Sequence, residues 1–252
     1  MSVTICHASI DENRKAKYGK AGDQTGKEVC TRTWYNKPWD FMLRYKDASV
    51  AKQAAKIAKK LANSNLVGYD QSGRNTLYQQ LKKNAFNVDK YIASKVKTET
   101  DCSAFMYAVW CCLIPSMRSD NNAPTTSTMK SKFTANGFTV YTNSKYITTD
   151  EYLLPGDVLD KAGSHTVMAI TAGSKTNSSS IPVTPTSVTS KVPYNVIITA
   201  SALNVRKGPS TSYAIVTTIH KNEVYGIIEE RNGWGRLKSG AGWINLSYTK
   251  KR

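Results

Sequence analysis

The chain has 252 residues, a formal net charge of +17, 40% hydrophobic and 10% aromatic residues. That length and apolar content exclude a disordered chain and allow either one large core or two ordinary ones. The cationic excess draws such a surface toward polyanions, namely nucleic acid, anionic membranes or anionic cell-wall polymers, and no nucleic-acid recognition motif is present to favour the first.

The first elements are short strands: TICHAS (4–9), KEVCTRTW (27–34) and WDFMLRY (39–45). Next, ASVAKQAAKIAKKLANS (48–64) carries apolar residues at helical spacing with lysines on the opposite, solvated face. One or two helices follow in NTLYQQLKKNAFNVDKYIASKV (75–96). DCSAFMYAVWCCLI (101–114) is apolar around its whole circumference, which predicts a buried helix starting near Asp101 and stopped by Pro115. GFTVYT (137–142) reads as a strand, and LPGDVLDKAGSHTVMAI (154–170) as two strands joined by a turn. Strands at both ends with helices between them give an α+β class.

Residues 171–195 are rich in Ser, Thr and Pro and cannot bury enough surface to fold, so they read as a tether. The expected division is a first domain over 1–172, a linker over 173–193 and a second domain over 194–252. The second domain is a run of short Val-, Ile-, Tyr- and Trp-rich segments with Gly, Pro and Asn between them, a small all-β barrel.

Five cysteines (Cys6, Cys30, Cys102, Cys111, Cys112) occur at irregular spacing with no CxxC pair. Neither a disulfide framework nor a zinc site is expected, and no cofactor or metal is implied. No leader segment and no apolar run of membrane-spanning length are seen, so synthesis in a reducing cytoplasm and no membrane insertion are expected. A monomer is expected.

Chemistry concentrates in ETDCSAFMYAVW. A cysteine at the start of a buried helix sits near the positive end of the helix dipole, which is expected to lower its pKa. It needs a histidine to take the thiol proton and return it to a leaving amine. His165, opening an apolar strand after a Pro-Gly-Asp turn, is the candidate. The other cysteines read as inert thiols, and His220 as a surface residue.

DCS on a helix, then LLPGDVL, then SHTVMAI, resembles the NlpC/P60 cysteine peptidases, a papain-like α+β fold acting on peptidoglycan. The resemblance implies Cys102 as nucleophile and His165 as base. Asp101 and Ser103 would then hold a free L-alanine amine of the stem peptide. Two departures stand out. The PYxWGG segment is missing, leaving Tyr69 as the candidate for its substrate-positioning tyrosine. The strand that normally follows the histidine strand, and supplies the third catalytic residue, is also missing there. TICHAS has its pattern at the other end of the chain. A circular permutation that moved the closing strands to the N-terminus would bring His7 beside His165 to orient it, a role for which Asp23, Gln24 and Glu28 are the alternatives. The Cys102 backbone N–H is one candidate oxyanion donor.

LNVRKGPSTSYAIVTTI followed by NEVYGIIEERNGWGRLKSGAGWINLSY resembles a bacterial SH3 domain. This implies a cell-wall-binding module, with Tyr213, Trp234, Trp243 and Tyr248 as candidate binding residues, each of which could instead be barrel core. Together the resemblances imply a phage endolysin that cleaves an amide in the peptidoglycan of a Gram-positive wall after holin-type release. The expected bond is the γ-D-glutamyl bond to the third residue of the stem, which would make the protein a D,L-endopeptidase. The alternatives are an N-acetylmuramoyl-L-alanine amidase, a non-catalytic wall-binding or tail-associated protein, and a metal site of Cys6, His7 and His165.

Overall fold

The computed structural model describes residues 2–119, 122–176, 193–209, 213–231 and 233–252. The chain divides into two compact units, residues 1–181 and 182–252. In the first, the strands are β1 (Thr4–Ala8), β2 (Val29–Thr33), β3 (Phe41–Tyr45), β4 (Val67–Tyr69), β5 (Thr98–Thr100), β6 (Phe138–Tyr141), β7 (Val158–Lys161) and β8 (His165–Ala169). The helices are α1 (Ala48–Ala62), α2 (Thr76–Lys83), α3 (Val88–Ser94), α4 (Cys102–Cys111), α5 (Met129–Thr134) and α6 (Ser144–Ile147).

Six strands form one antiparallel sheet in the order β2-β1-β8-β7-β3-β6, and β4 and β5 form a separate parallel pair. Alternation along each strand divides the sheet's side chains between two cores. Cys6, Ala8, Leu43, Val158 and Met168 pack with the helices, while Val3, Ile5, Met42, Leu159 and Val167 pack with Trp39 and Leu153. Every residue of α4 is buried. The all-round apolar composition of its sequence requires this.

The N-terminal strand therefore lies beside the last strand of the unit, with Ile5 opposite Ala169 and Cys6 opposite Met168. TICHAS, KEVCTRTW and WDFMLRY, the strands expected to have moved to the N-terminal end, all join this sheet, the third apart from the other two. β3 sits on the far side of β7, with Leu43 opposite Val158 and Val140. Its place is fixed by Arg44, whose Nε and Nη2 donate to the two carboxylate oxygens of buried Asp157 at 2.8 and 2.6 Å. Asp157 is the acidic residue of the Pro-Gly-Asp turn, and it also accepts the Leu154 N–H at 2.7 Å.

Four shorter elements fell outside the reading of the sequence: β4, β5, α5 and α6. The first unit also reaches past residue 172. Gly173 N–H donates to Leu153 O at 2.9 Å and Lys175 N–H to Glu151 O at 3.0 Å. The expected linker start thus belongs to this unit, and residues 177–192 lie outside the described residues.

The second unit consists of β9 (Tyr194–Ile198), β10 (Ala202–Arg206), β11 (Ile215–His220), β12 (Val224–Arg231), β13 (Trp234–Leu237), β14 (Trp243–Asn245) and β15 (Thr249–Lys251). They pair antiparallel in the order β11-β10-β14-β13-β12-β9-β15 around a core of Val196, Ile198, Leu203, Val205, Ile219, Ile227, Leu237 and Ile244. Among the described residues, no helix is long and apolar enough to cross a membrane.

Candidate active site

Asp101 starts α4. Its Oδ1 accepts the Ala104 N–H at 2.8 Å, which satisfies one orphan donor of the first turn, and also the Ser103 hydroxyl at 3.0 Å. This places Cys102 at the first helical position, buried, within electrostatic reach of the Thr166 backbone N–H. Thr166 follows His165, so the helix start and the start of β8 meet at the two expected reactive residues. Among the described hydrogen bonds none joins Cys102 Sγ to His165.

The two histidines that are 158 positions apart in sequence are in contact. His7 Nδ1 lies 3.2 Å from His165 Nε2, and the rings are nearly perpendicular at 76°. The β1–β8 register makes them diagonal neighbours on one sheet face, within the reach of aromatic side chains. Trp39 lies along the His165 ring, with centroids 6.4 Å apart and planes 29° from parallel. Asp23, Gln24 and Glu28 do not orient His165. They have other partners: Asp23 accepts backbone N–H groups of its own loop, and Glu28, fully buried, accepts the Gln24 N–H at 2.7 Å and the N–H of Tyr69 on β4 at 2.9 Å. Cys6 turns to the other face, its thiol toward Ala58 O at 3.5 Å, so Cys6, His7 and His165 do not converge.

Burial dominates the electrostatics and corrects the expectation of an acidified thiol. It pushes Cys102 up to about 12, with the neighbouring Asp101 charge adding to the effect and the Thr166 N–H only partly offsetting it. Burial also lowers His165 to about 4, assisted by Lys37 and Arg32, and His7 to about 3. The resting site therefore holds a neutral thiol and two neutral imidazoles.

A cleft beside Cys102 is lined in part by Lys17, Arg74, Asp101, Ser103, Thr126 and Ser164. Arg74 decides its character. Its Nε donates to Asp101 Oδ2 at 2.5 Å, and Nη2 donates to Asp101 Oδ1 at 3.3 Å and Ser103 Oγ at 3.0 Å. Nη1 donates to Ala123 O at 2.8 Å, and Nη2 also reaches Pro124 O at 2.9 Å. A guanidinium thus already occupies the place expected for a substrate amine. Tyr69 is buried on β4 within electrostatic reach of Cys102 and Asp101, and its hydroxyl accepts the Gln71 amide N–H at 3.3 Å.

Sequence reasoning missed Arg74, Trp39 and Cys30. Arg74 precedes α2 in a loop whose approach to Asp101 is a tertiary event. Trp39 opens the strand-like run WDFMLRY, and nothing in that run points to a histidine as its neighbour. Cys30 lies directly across β1–β2 from His7.

In the second unit the four expected aromatic residues separate. Trp234 and Trp243 are buried, whereas Tyr213 and Tyr248 are about half exposed. Trp234 and Tyr248 line one cleft together with Arg206 and Asn204, and Tyr213 lies outside it.

Comparison with known families gives two matches. The family model described as an endolysin-like domain matches residues 5–176, and that of a bacterial SH3 domain matches residues 201–250. No curated protein matches the chain.

Proposed function

Because the chain belongs to the endolysin-like domain family and carries a bacterial SH3 domain behind that region, we propose that it is a peptidoglycan hydrolase working by cysteine nucleophilic catalysis, with the SH3 domain holding it on the wall. The supporting observation is the contact of His7 Nδ1 with His165 Nε2. It engages one ring nitrogen of His165 and leaves Nδ1 available for Cys102.

With a neutral pair at rest, the proton moves during the reaction. The Cys102 thiol gives its proton to His165 Nδ1 as the sulfur attacks the amide carbonyl. The backbone N–H of Cys102 faces the developing oxyanion. His165 passes the proton to the leaving amine, and water then hydrolyses the thioester with His165 again as base. The missing Cys102–His165 hydrogen bond is expected to close when substrate enters, because catalytic hydrogen bonds are often long before substrate binds.

The first bond proposed is the γ-D-glutamyl bond of the stem peptide, making the enzyme a D,L-endopeptidase. One observation favours the second reading, an N-acetylmuramoyl-L-alanine amidase. Arg74 fills the Asp101–Ser103 pair, so a free stem amine has no unclaimed carboxylate there. The wall of a Gram-positive bacterium and its anionic polymers are the proposed partners, reached after holin-type release from the cytoplasm of a phage-infected cell.

Purified Gram-positive walls treated with the native chain and with Cys102→Ala test the mechanism. Clearing by the native chain alone is expected, and equal clearing by both would sink it. Mass spectrometry of the released fragments identifies the bond. New D-glutamyl carboxyl termini mark the endopeptidase, and stems with a free L-alanine amine the amidase.

A further inference from the structure

Cys30 has no role in the mechanism above, yet it ends a chain of contacts that begins at the base. It faces His7 across the β1–β2 ladder, and its Sγ lies 3.6 Å from His7 Nε2. The other His7 nitrogen meets His165. Both nitrogens of His7 are therefore engaged, one by the base and one by a sulfur.

Two proton arrangements satisfy these contacts. In the first, His165 Nε2–H donates to His7 Nδ1, which forces the His7 proton onto Nε2, where it donates to Cys30 Sγ. His165 Nδ1 is then an unprotonated acceptor. In the second, Cys30 S–H donates to His7 Nε2 and His7 Nδ1–H donates to His165 Nε2. The His165 proton is then forced onto Nδ1, and the base is blocked. The two rings and the sulfur switch together because each contact holds one proton.

We propose that Cys30 is a positioning residue whose sulfur accepts the His7 Nε2–H and so holds the His7–His165 pair in the tautomer that leaves His165 Nδ1 free. This rests on the reading of His165 as the base. The surroundings agree with an accepting sulfur. Burial, with the Asp23 charge adding to it, pushes the Cys30 thiol up and so favours the neutral S–H over a thiolate. Cys30 is half-buried rather than sealed in the core, so its hydrogen can turn outward. A thiol is a weak acceptor, and its contribution is that of one modest hydrogen bond.

The test uses the full chain labelled with ¹⁵N at histidine. Only three histidines are present, and exposed His220 serves as internal reference. Nitrogen–proton correlation spectra at neutral pH are expected to show Nε2–H tautomers for both His7 and His165. Cys30→Ser keeps an acceptor and is expected to keep both tautomers and the rate of wall clearing. Cys30→Val removes the acceptor. It is expected to mix the His7 tautomers and slow clearing about tenfold, the effect of losing one hydrogen bond. Nδ1–H tautomers in the native chain, or a Cys30→Val protein with native tautomers and native clearing, would overturn the proposal. If Cys30→Ser loses all clearing while Cys102→Ala retains it, Cys30 is the nucleophile, and both the proposal and the reading fail. If Cys102→Ala clears like the native chain but the tautomers respond to Cys30→Val, only the catalytic reading fails.

Discussion

At the scale of single residues, burial rather than charge pairing sets the chemistry of this site. At Cys102 desolvation, followed by the Asp101 charge, outweighs the Thr166 and Ser103 backbone N–H groups. Asp160 shows the same balance. It is fully buried on β7 opposite Thr166, whose hydroxyl donates to Leu159 O at 2.8 Å, and neither carboxyl oxygen has a hydrogen-bond partner among the described residues. Burial pushes its pKa up to about 7. A carboxyl raised in the folded state costs stability as pH climbs from its unfolded value, near 4, to its folded one. The cost is complete above pH 7 and absent below pH 4. Asp160→Asn removes this dependence. Its melting temperature relative to the native chain is therefore expected to rise between pH 5 and pH 8, by the equivalent of about 2–4 kcal/mol. Calorimetry at the two pH values checks this, and an identical difference at both would contradict it.

At the scale of elements, the Pro-Gly-Asp turn holds β3, β7 and α1 together. Gly156 has φ +96°, and a Cβ there would stand 2.5 Å from Ala51 O at the start of α1. Both backbone conformation and space demand glycine. Gly156→Ala is expected to destabilise the first unit by roughly 1–3 kcal/mol, which thermal or urea unfolding measures. A neutral result would mean that the turn and α1 separate freely. The existence and type of the long elements were legible. α1 follows its amphipathic spacing, α4 its uniform apolarity after an Asp cap, and β7–β8 their apolar runs around a polar turn. The three-residue β4 and β5 were not, because so short a parallel pair has no periodicity of its own and exists only where its neighbours hold it.

At the scale of the whole molecule, two units of different chemistry share one chain with a net charge of +17. If the bacterial SH3 domain holds the wall through the cleft of Trp234, Tyr248 and Arg206, then Tyr248→Ala in the full chain is expected to lower sedimentation with purified walls several-fold at any salt concentration. The charge contribution is different in kind. It is expected to fade between 50 and 500 mM salt as surface electrostatics are screened, and to fall when anionic polymers are stripped from the walls. Binding that ignores both Tyr248→Ala and salt would place the wall contact elsewhere. The sequence by itself determined the two-unit division, the α+β and all-β classes, and the placing of one cysteine at a helix start and one histidine at a strand start, because these follow from local periodicity and short-range spacing. It also placed His7 beside His165, since TICHAS has the pattern of a strand the other end lacks. Only the tertiary structure decided that Arg74 closes over Asp101 and Ser103, that Cys30 meets His7, and that the thiol rests neutral. Ion pairing, strand register and desolvation depend on residues brought together from distant parts of the chain, and no local pattern encodes them.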